Sequence, residues 1–194
     1  MGLDMYLEKA SKKAGSFKDI LKMNDNLNGK DYKKYEEEYD KFMFDMGSDK
    51  VKWKSIFGEV AYWRKANAIH KWFVDNVQDG NDDCGYYLVT KEDIQKLKEI
   101  VDEVVNSCNL IQGMVFAGSS YANGERVDQY EEGLIIEDST IAEELLPTQE
   151  GFFFGGTHYD EWYYRKLVYT QHMCEAILNF FPFDECYLIY RSSW

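Results

Sequence analysis

The side chains best suited to chemistry lie together in one short block of the chain. If this block is helical, Trp63, Asn67 and His70 are spaced i, i+4 and i+7 and share a stripe beside the buried face. Arg64 and Lys71 form the next stripe around the helix. An aromatic ring, an amide, an imidazole and two cations suit a ligand that carries a base or a phosphate. The alternative is an amphipathic helix whose polar groups hydrogen-bond to neighbouring loops.

A second candidate is the glycine-rich segment 151–156, which precedes a predicted helix. Backbone N–H groups at the start of a helix can hold an anion, and Gly155 and Gly156 are the candidate cradle residues. Asp160 and Glu161 fall in the first turn of that helix, where their charge would repel a phosphate. The segment also lacks the Lys-Ser/Thr of a P-loop. A turn in which three phenylalanines pack is therefore the competing interpretation.

A third candidate is a small hydrolase that uses His70, His158, Asp160 and Glu161 as acid, base or metal-binding groups. His158 and His172 are about 20 Å apart on the predicted helix, at 1.5 Å per residue, so they cannot share a metal. No spacing in the sequence requires catalysis. We therefore expect a protein that is not an enzyme, and we assign no catalytic residue.

The four cysteines give no sign of a metal site. They are Cys84, Cys108, Cys174 and Cys186, far apart and without a C-x-x-C spacing. We predict neither a bound metal nor a cofactor. Apolar runs of a few residues are far shorter than the roughly 20 that cross a bilayer, and no secretion signal is recognisable. We expect a cytoplasmic protein with reduced thiols and without a membrane partner.

The chain is acidic, with a net charge of −13, and the charge is concentrated in one stretch. Between residues 126 and 150, eight carboxylates face one basic residue, which gives −7. Such a stretch repels a nucleic-acid backbone and attracts a basic groove. We predict that it docks on a basic protein; a solvated face is the alternative. The predicted docking residues are Asp128, Glu131, Glu132, Glu137, Asp138, Glu143 and Glu144.

Periodicity predicts a single α+β domain, with a small, mostly antiparallel sheet packed by three to four helices on one side. A polar insertion occupies about 10–54 and contains one helix near 31–45. The first and last strands are expected to be neighbours. The predicted strands are 3–8, 86–89, 114–116, 134–136 and 186–190, with a turn at Asn123-Gly124. Residues 60–63 fit either a short strand or the entry to a helix that then continues to Val77. The other predicted helices run from Lys91 to Ser107 after a Thr90/Asp93 capping box, from Ser139 or Thr140 to Pro147, and from His158 to Phe181 after Thr157.

Several segments resemble a family of small proteins carried by bacteriophages and prophages. They are MGLDMYL at the start, Tyr62–Val74 with Asn76–Gln78, the Asp82–Cys84 turn, Leu145–Gln149, Gly151–Gly155 and Tyr159–Tyr163. Segments 10–54 and 109–137 do not match. The resemblance implies a viral setting without implying a reaction. Combined with the acidic stretch, it predicts a non-enzymatic inhibitor of host antiviral defence in the host cytoplasm, such as an anti-CRISPR protein. A nucleotide- or signalling-molecule-sequestering protein and a small hydrolase are the alternatives.

Overall fold

The computed structural model describes residues 2–28, 57–122 and 125–194. These residues form five α-helices and six strands, which confirms the predicted α+β class. The strands are β1 (Asp4–Ser11), β2 (Gly58–Arg64), β3 (Tyr87–Val89), β4 (Leu110–Ala122), β5 (Glu125–Ile136) and β6 (Cys186–Ser193). The helices are α1 (Phe17–Asn28), α2 (Asn67–Asn76), α3 (Lys91–Ser107), α4 (Thr140–Leu145) and α5 (Glu161–Phe180).

Four of the strands form an antiparallel sheet in the order β2-β1-β6-β3. β1 and β6 pair along their whole length, from Asp4 opposite Ser193 to Ser11 opposite Cys186. The prediction that the first and last strands are neighbours is confirmed. This pairing joins the two ends of the described chain into the centre of the sheet.

Helices cover both faces of this sheet. Phe73 of α2, Leu97 of α3 and Leu167 of α5 belong to the main core cluster. In contrast, Ile20 of α1 packs against Ile189 in a smaller cluster. Strand residues alternate between the two faces, and the neighbours of Ile189 on β6 belong to the main core. The prediction of helices on one side only is therefore wrong, because α1 lies on the opposite face.

The sequence left a strand or a helix entry open at 60–63, and the structure forms the strand; the helix that follows begins later than the periodicity from Tyr62 indicates. Tyr62 and Trp63 belong to β2, where Met5 of β1 lies opposite Trp63. Lys65 then adopts a left-handed backbone conformation, with φ 55°, and α2 starts at Asn67. The helical stripe through Trp63, Asn67 and His70 does not exist, because its first member points out of a strand.

The start of α3 is predicted correctly and that of α5 is not. Thr90 and Asp93 form a capping box at α3, with each side chain bonded to the other's backbone N–H. At α5 the N-cap is Asp160 rather than Thr157. Its carboxylate accepts hydrogen bonds from the backbone N–H groups of Trp162 and Tyr163, at 2.9 and 3.1 Å. A carboxylate is a strong N-cap, and it fixes the start of the helix three residues later than predicted.

β4 and β5 form a separate two-stranded hairpin that is longer than the predicted strands. It runs from Leu110 opposite Ile136 to Ala122 opposite Glu125, with a shift of register between Phe116 and Gly118. The predicted turn at 123–124 lies outside the described residues. So does the predicted helix at 31–45, while α1 and the end of β1 occupy the first part of the predicted insertion.

Among the described residues, the helices are all too short or too polar to cross a bilayer.

Candidate anion-binding cavity

A cavity of about 450 Å³ lies where four parts of the chain meet. The corner between β2 and α2 contributes Arg64 and Lys65, and the loop before α5 contributes Gly155 and His158. The first turns of α5 and the middle of β4 complete the wall. Its volume is within the range of about 300–1,000 Å³ that is usual for small-molecule sites.

The left-handed corner at Lys65 gives the cavity its shape. The backbone N–H of Lys65 donates to the carbonyl of Leu3 at 2.7 Å, and its own carbonyl accepts from the ammonium of Lys166. Gly155 packs directly against this corner with φ +94°, and a Cβ at Gly155 would lie 2.9 Å from the Cβ of Lys65. Glycine is therefore required at 155 by both backbone conformation and space.

Asn67 holds the loop around Gly155 in place. Its side-chain amide donates to the carbonyls of Phe154 and Gly156, at 3.2 and 2.8 Å. Its oxygen accepts from the backbone N–H of Gln149 at 3.3 Å. Asn67 lines the cavity as predicted, but it is buried and its amide is bonded to the loop. It positions the cavity wall.

Three cations line the cavity, and the most buried of them is Lys166. Burial is the main cause that lowers the pKa of Lys166, and the nearby charge of Lys65 lowers it further, against an opposing effect of Asp160. Arg64 is 56% exposed and pairs with Asp4 at 3.3 Å. The Asp160 carboxylate also lines the cavity, although it already accepts two N–H groups as the cap of α5. Positive charge therefore predominates around the cavity.

The remainder of the wall is apolar and aromatic. Ala68, Ile69 and Leu167 line the inner side. On the outer side, Phe116 of β4 stacks on His158, with ring centroids 4.8 Å apart and an interplanar angle of 16°. Apolar walls with a few charged groups at one side are typical of sites for organic anions.

Three residues that were predicted to bind the ligand lie outside the cavity. Trp63 is buried and donates from its indole to Thr170 at 3.0 Å. Lys71 pairs with Asp75 at 2.7 Å on the surface of α2. His70 is fully buried. The placement of Trp63 and His70 beside the core is wrong, because both are part of it.

His70 is the centre of a hydrogen-bonded chain that runs from the buried Tyr190 to the exposed Trp194. Its Nδ1 lies 2.7 Å from the hydroxyl of Tyr190, and its Nε2 lies 3.0 Å from a carboxylate oxygen of Asp82. The other oxygen of Asp82 accepts from the indole of Trp194 at 3.0 Å. Burial raises the pKa of Tyr190 well above its usual range, so this hydroxyl stays protonated. The chain joins α2, β6 and the loop before β3.

The four residues of the hydrolase hypothesis do not come together. His158 and Asp160 line the cavity, whereas His70 lies in the core. Glu161 points to Arg165 one turn along α5, with 2.6 Å between the guanidinium and the carboxylate. In the part of the chain that the structure describes, no three His, Cys, Asp or Glu side chains are placed to hold a metal ion.

The predicted docking carboxylates do not share one face. Glu131 and Glu132 are consecutive residues of β5, so their side chains point to opposite sides of the hairpin. Asp128 pairs with Arg126 at 2.7 Å, and hydrogen bonds from Ser119 and Arg126 lower its pKa. The other four lie at the foot of the hairpin and around α4. Three of these carboxylates accept hydrogen bonds from neighbouring side chains: Glu137 from Asn109, Asp138 from Thr140 and Glu143 from Ser139. The fourth, Glu144, is exposed.

Sequence reasoning missed Lys65, Lys166 and Phe116. One signal was available for Lys166. Tyr163, Leu167 and Thr170 belong to the buried stripe of α5. Lys166 is three or four residues from Tyr163 and Thr170, so its side chain lies at the edge of that stripe. A lysine at the margin of a buried stripe is a candidate for a half-buried cation. Phe116 reaches the cavity through the path of the hairpin, which no local pattern indicates.

Comparisons with known proteins do not assign the chain to a class. No protein-family model, curated protein or solved structure matches it. The viral setting implied by the resemblance therefore stays a prediction.

Proposed function

We propose that the protein binds a small phosphate-bearing molecule, of the size of a nucleotide or nucleotide-like signalling molecule, in this cavity. The observation that carries the proposal is the environment of Lys166. Its ammonium is half-buried, and its hydrogen-bond partner is the carbonyl of Lys65. Within the described part of the chain it forms no ion pair with a carboxylate. The nearby carboxylate of Asp160 partly offsets its charge but already caps α5. A half-buried charge without a direct ion-pair partner is costly, and a bound anion would supply one.

The neighbouring side chains support a phosphate rather than a simple apolar ligand. Arg64 and Lys65 line the cavity together with Lys166, so three cations would attract a dianionic group bound there. The apolar wall and the Phe116–His158 pair would then face the organic part of the ligand. Such a protein would sequester its ligand without converting it.

The proposal is tested by calorimetry and thermal unfolding with mono- and cyclic nucleotides. A ligand at 100 times its dissociation constant stabilises the folded protein by about 2.7 kcal/mol. Lys166→Gln should weaken binding about tenfold or more, because it removes a partly desolvated charge contact. Lys96→Gln, on the exposed side of α3, changes net charge equally and should bind like the wild type.

The outcomes separate the functional classes. Stabilisation by no nucleotide, or equal affinities for the two lysine variants, would rule the proposal out. Conversion of a bound nucleotide to product would indicate the small hydrolase instead, with His158 and Asp160 as the groups nearest to the ligand.

A second candidate is the predicted inhibitor, a protein that blocks a basic host defence factor through its acidic stretch. The observation that favours it is exposure. Glu131, Glu132 and Glu144 are all exposed, and the single ion pair described within 126–150 joins Arg126 to Asp128. These carboxylates are available to a cationic surface, and such binding should weaken as salt concentration rises.

A further inference from the structure

We propose that the ligand of the cavity is a nucleoside phosphate whose base stacks on the indole ring of Trp162. This inference rests on the proposed function. It adds the chemical class of the organic part of the ligand and names the side chain that selects it.

Trp162 presents a large apolar ring beside the cavity. It lies in the first turn of α5 and lines the cavity, yet it is 66% exposed. Its backbone N–H donates to the capping carboxylate of Asp160 at 2.9 Å, so the start of the helix fixes the backbone that carries the ring. An indole contributes most when it is buried, and a ligand in the cavity would cover it.

One face of the indole is already in use. The guanidinium of Arg165 lies over the ring, with its central carbon 5.6 Å from the ring centroid. Arg165 is itself held by Glu161, at 2.6 Å. Among the described residues, no aromatic ring packs against Trp162. The pair therefore steadies the indole from one side and leaves the other side to a ligand.

A second flat surface borders the same cavity. Phe116 of β4 and His158 of the loop before α5 are stacked on each other and both line it. Flat rings supplied by separate elements are a usual means of holding a nucleic-acid base, because every base has an extended aromatic face. A planar ligand uses such surfaces better than a branched one does.

The other walls disfavour other phosphate esters. Asn67 has spent its amide on the loop, and Ala68, Ile69 and Leu167 are apolar, so the hydroxyls of a sugar phosphate would find few partners there. A cationic organic group, such as that of phosphocholine, would meet the cations of the cavity and Arg165. A base has an uncharged apolar face, and its polar edge can point to solvent.

The first experiment measures binding of adenosine, guanosine, cytidine and uridine 5′-monophosphate to the full chain by calorimetry. Ribose 5-phosphate carries the same phosphate on the same sugar without a base. The tightest nucleotide should bind about tenfold more tightly than ribose 5-phosphate, since stacking of one base on an aromatic ring is of that size.

Variants of Trp162 locate the base. Trp162→Leu should weaken nucleotide binding about tenfold and leave ribose 5-phosphate unchanged, because the ring and the base act as a coupled pair. Phe180→Leu should keep the full preference for the nucleotide. Phe180 is an exposed ring at the other end of α5, outside the cavity lining.

Fluorescence and a conservative variant separate contact with the base from a merely structural role. Trp162→Phe retains an aromatic ring and should retain most of the preference for the nucleotide. A stacked base quenches indole emission, so the nucleotide should quench the wild type and Phe180→Leu. The same quenching should be absent in Trp162→Phe, although this variant still binds.

The results distinguish this inference from the function on which it rests. Equal affinities for the nucleotides and ribose 5-phosphate overturn the inference and leave phosphate binding intact. A preference that survives Trp162→Leu, or that is lost equally in Phe180→Leu, also overturns it. If no nucleoside 5′-monophosphate binds, the inference fails, and the proposed function is decided by the cyclic nucleotides of its own test.

Discussion

The interior behind the cavity and the rim that faces it use polar side chains in different ways. Behind the wall, both amide atoms of Asn67 and both ring nitrogens of His70 have hydrogen-bond partners within the protein. At the rim, Lys166 has three donors, and one described hydrogen bond, to Lys65. The two regions contain residue types that look equally functional in a sequence. What separates them is how far protein groups already hold the polar atoms, which only the packed structure reveals.

The two histidines of the hydrolase hypothesis show the same contrast. His70 is completely buried and has a partner at each ring nitrogen, whereas His158 is exposed and stacks on Phe116. The first contributes to the stability of the fold. The second lies where a ligand would contact it.

The largest change in unfolding free energy should come from replacing the buried His70. His70→Ala leaves a cavity and removes a partner from the buried hydroxyl of Tyr190, so we expect a loss of about 3 kcal/mol or more in unfolding free energy. His158→Ala removes an exposed ring and should change stability by no more than about 0.5 kcal/mol. Urea denaturation measures both. Equal losses would show that the two regions do not differ as described.

Gly155 and Gly156 are adjacent in the loop before α5, but alanine should be tolerated at only one of them. Gly155→Ala places a Cβ 2.9 Å from Lys65 at φ +94°, so we expect a loss of about 1–2 kcal/mol in unfolding free energy. At Gly156 the nearest atom is 3.8 Å away, on His158, and the same substitution should cost little. Thermal unfolding provides the measurement. A tolerated Gly155→Ala would mean that the corner at Lys65 can move, and that the cavity is less rigid than its contacts indicate.

Local signals predicted the fold where the determining contacts are local. The Thr90/Asp93 capping box involves neighbouring residues, and the alternation along β1 indicates a half-buried strand. Local signals left strand and helix open at 60–63, because the choice of a strand there comes from pairing with β1, about sixty residues away in sequence. The apolar spacing of this segment fits either structure, so periodicity could not decide.

For the same reason, the sequence predicted only part of the candidate site. Arg64, Asn67, Gly155, Gly156, His158 and Asp160 were singled out and line one cavity. Lys166 and Phe116 join them through the docking of α5 and the path of the hairpin. Both are long-range features, so spacing along the chain could place Lys166 at the margin of a buried helix stripe but could not place either residue in the cavity.

The smallest expected effect is a pH dependence of stability that arises from Lys166 in the cavity wall. Burial lowers the pKa of Lys166 from the 10.5 of a free lysine. Below its folded pKa the side chain is protonated in both states, and folding then carries the cost of burying the charge. Above 10.5 it is neutral in both states and this cost disappears. The stability of the wild type relative to Lys166→Met should therefore rise as pH increases through the interval between the two pKa values.

Matched variants isolate this effect from the other groups that titrate at alkaline pH. Urea unfolding of the wild type, Lys166→Met and the exposed control Lys96→Met is compared at neutral pH and near pH 10.5. The gap between the wild type and Lys166→Met should change with pH, while the gap for Lys96→Met should stay constant. Ligand affinity should fall over the same interval, because the neutral amine no longer attracts a phosphate. A pH-independent gap for Lys166→Met would mean that its ammonium is solvated like that of a surface lysine, and the rim would then lose the property that sets it apart from the rest of the surface.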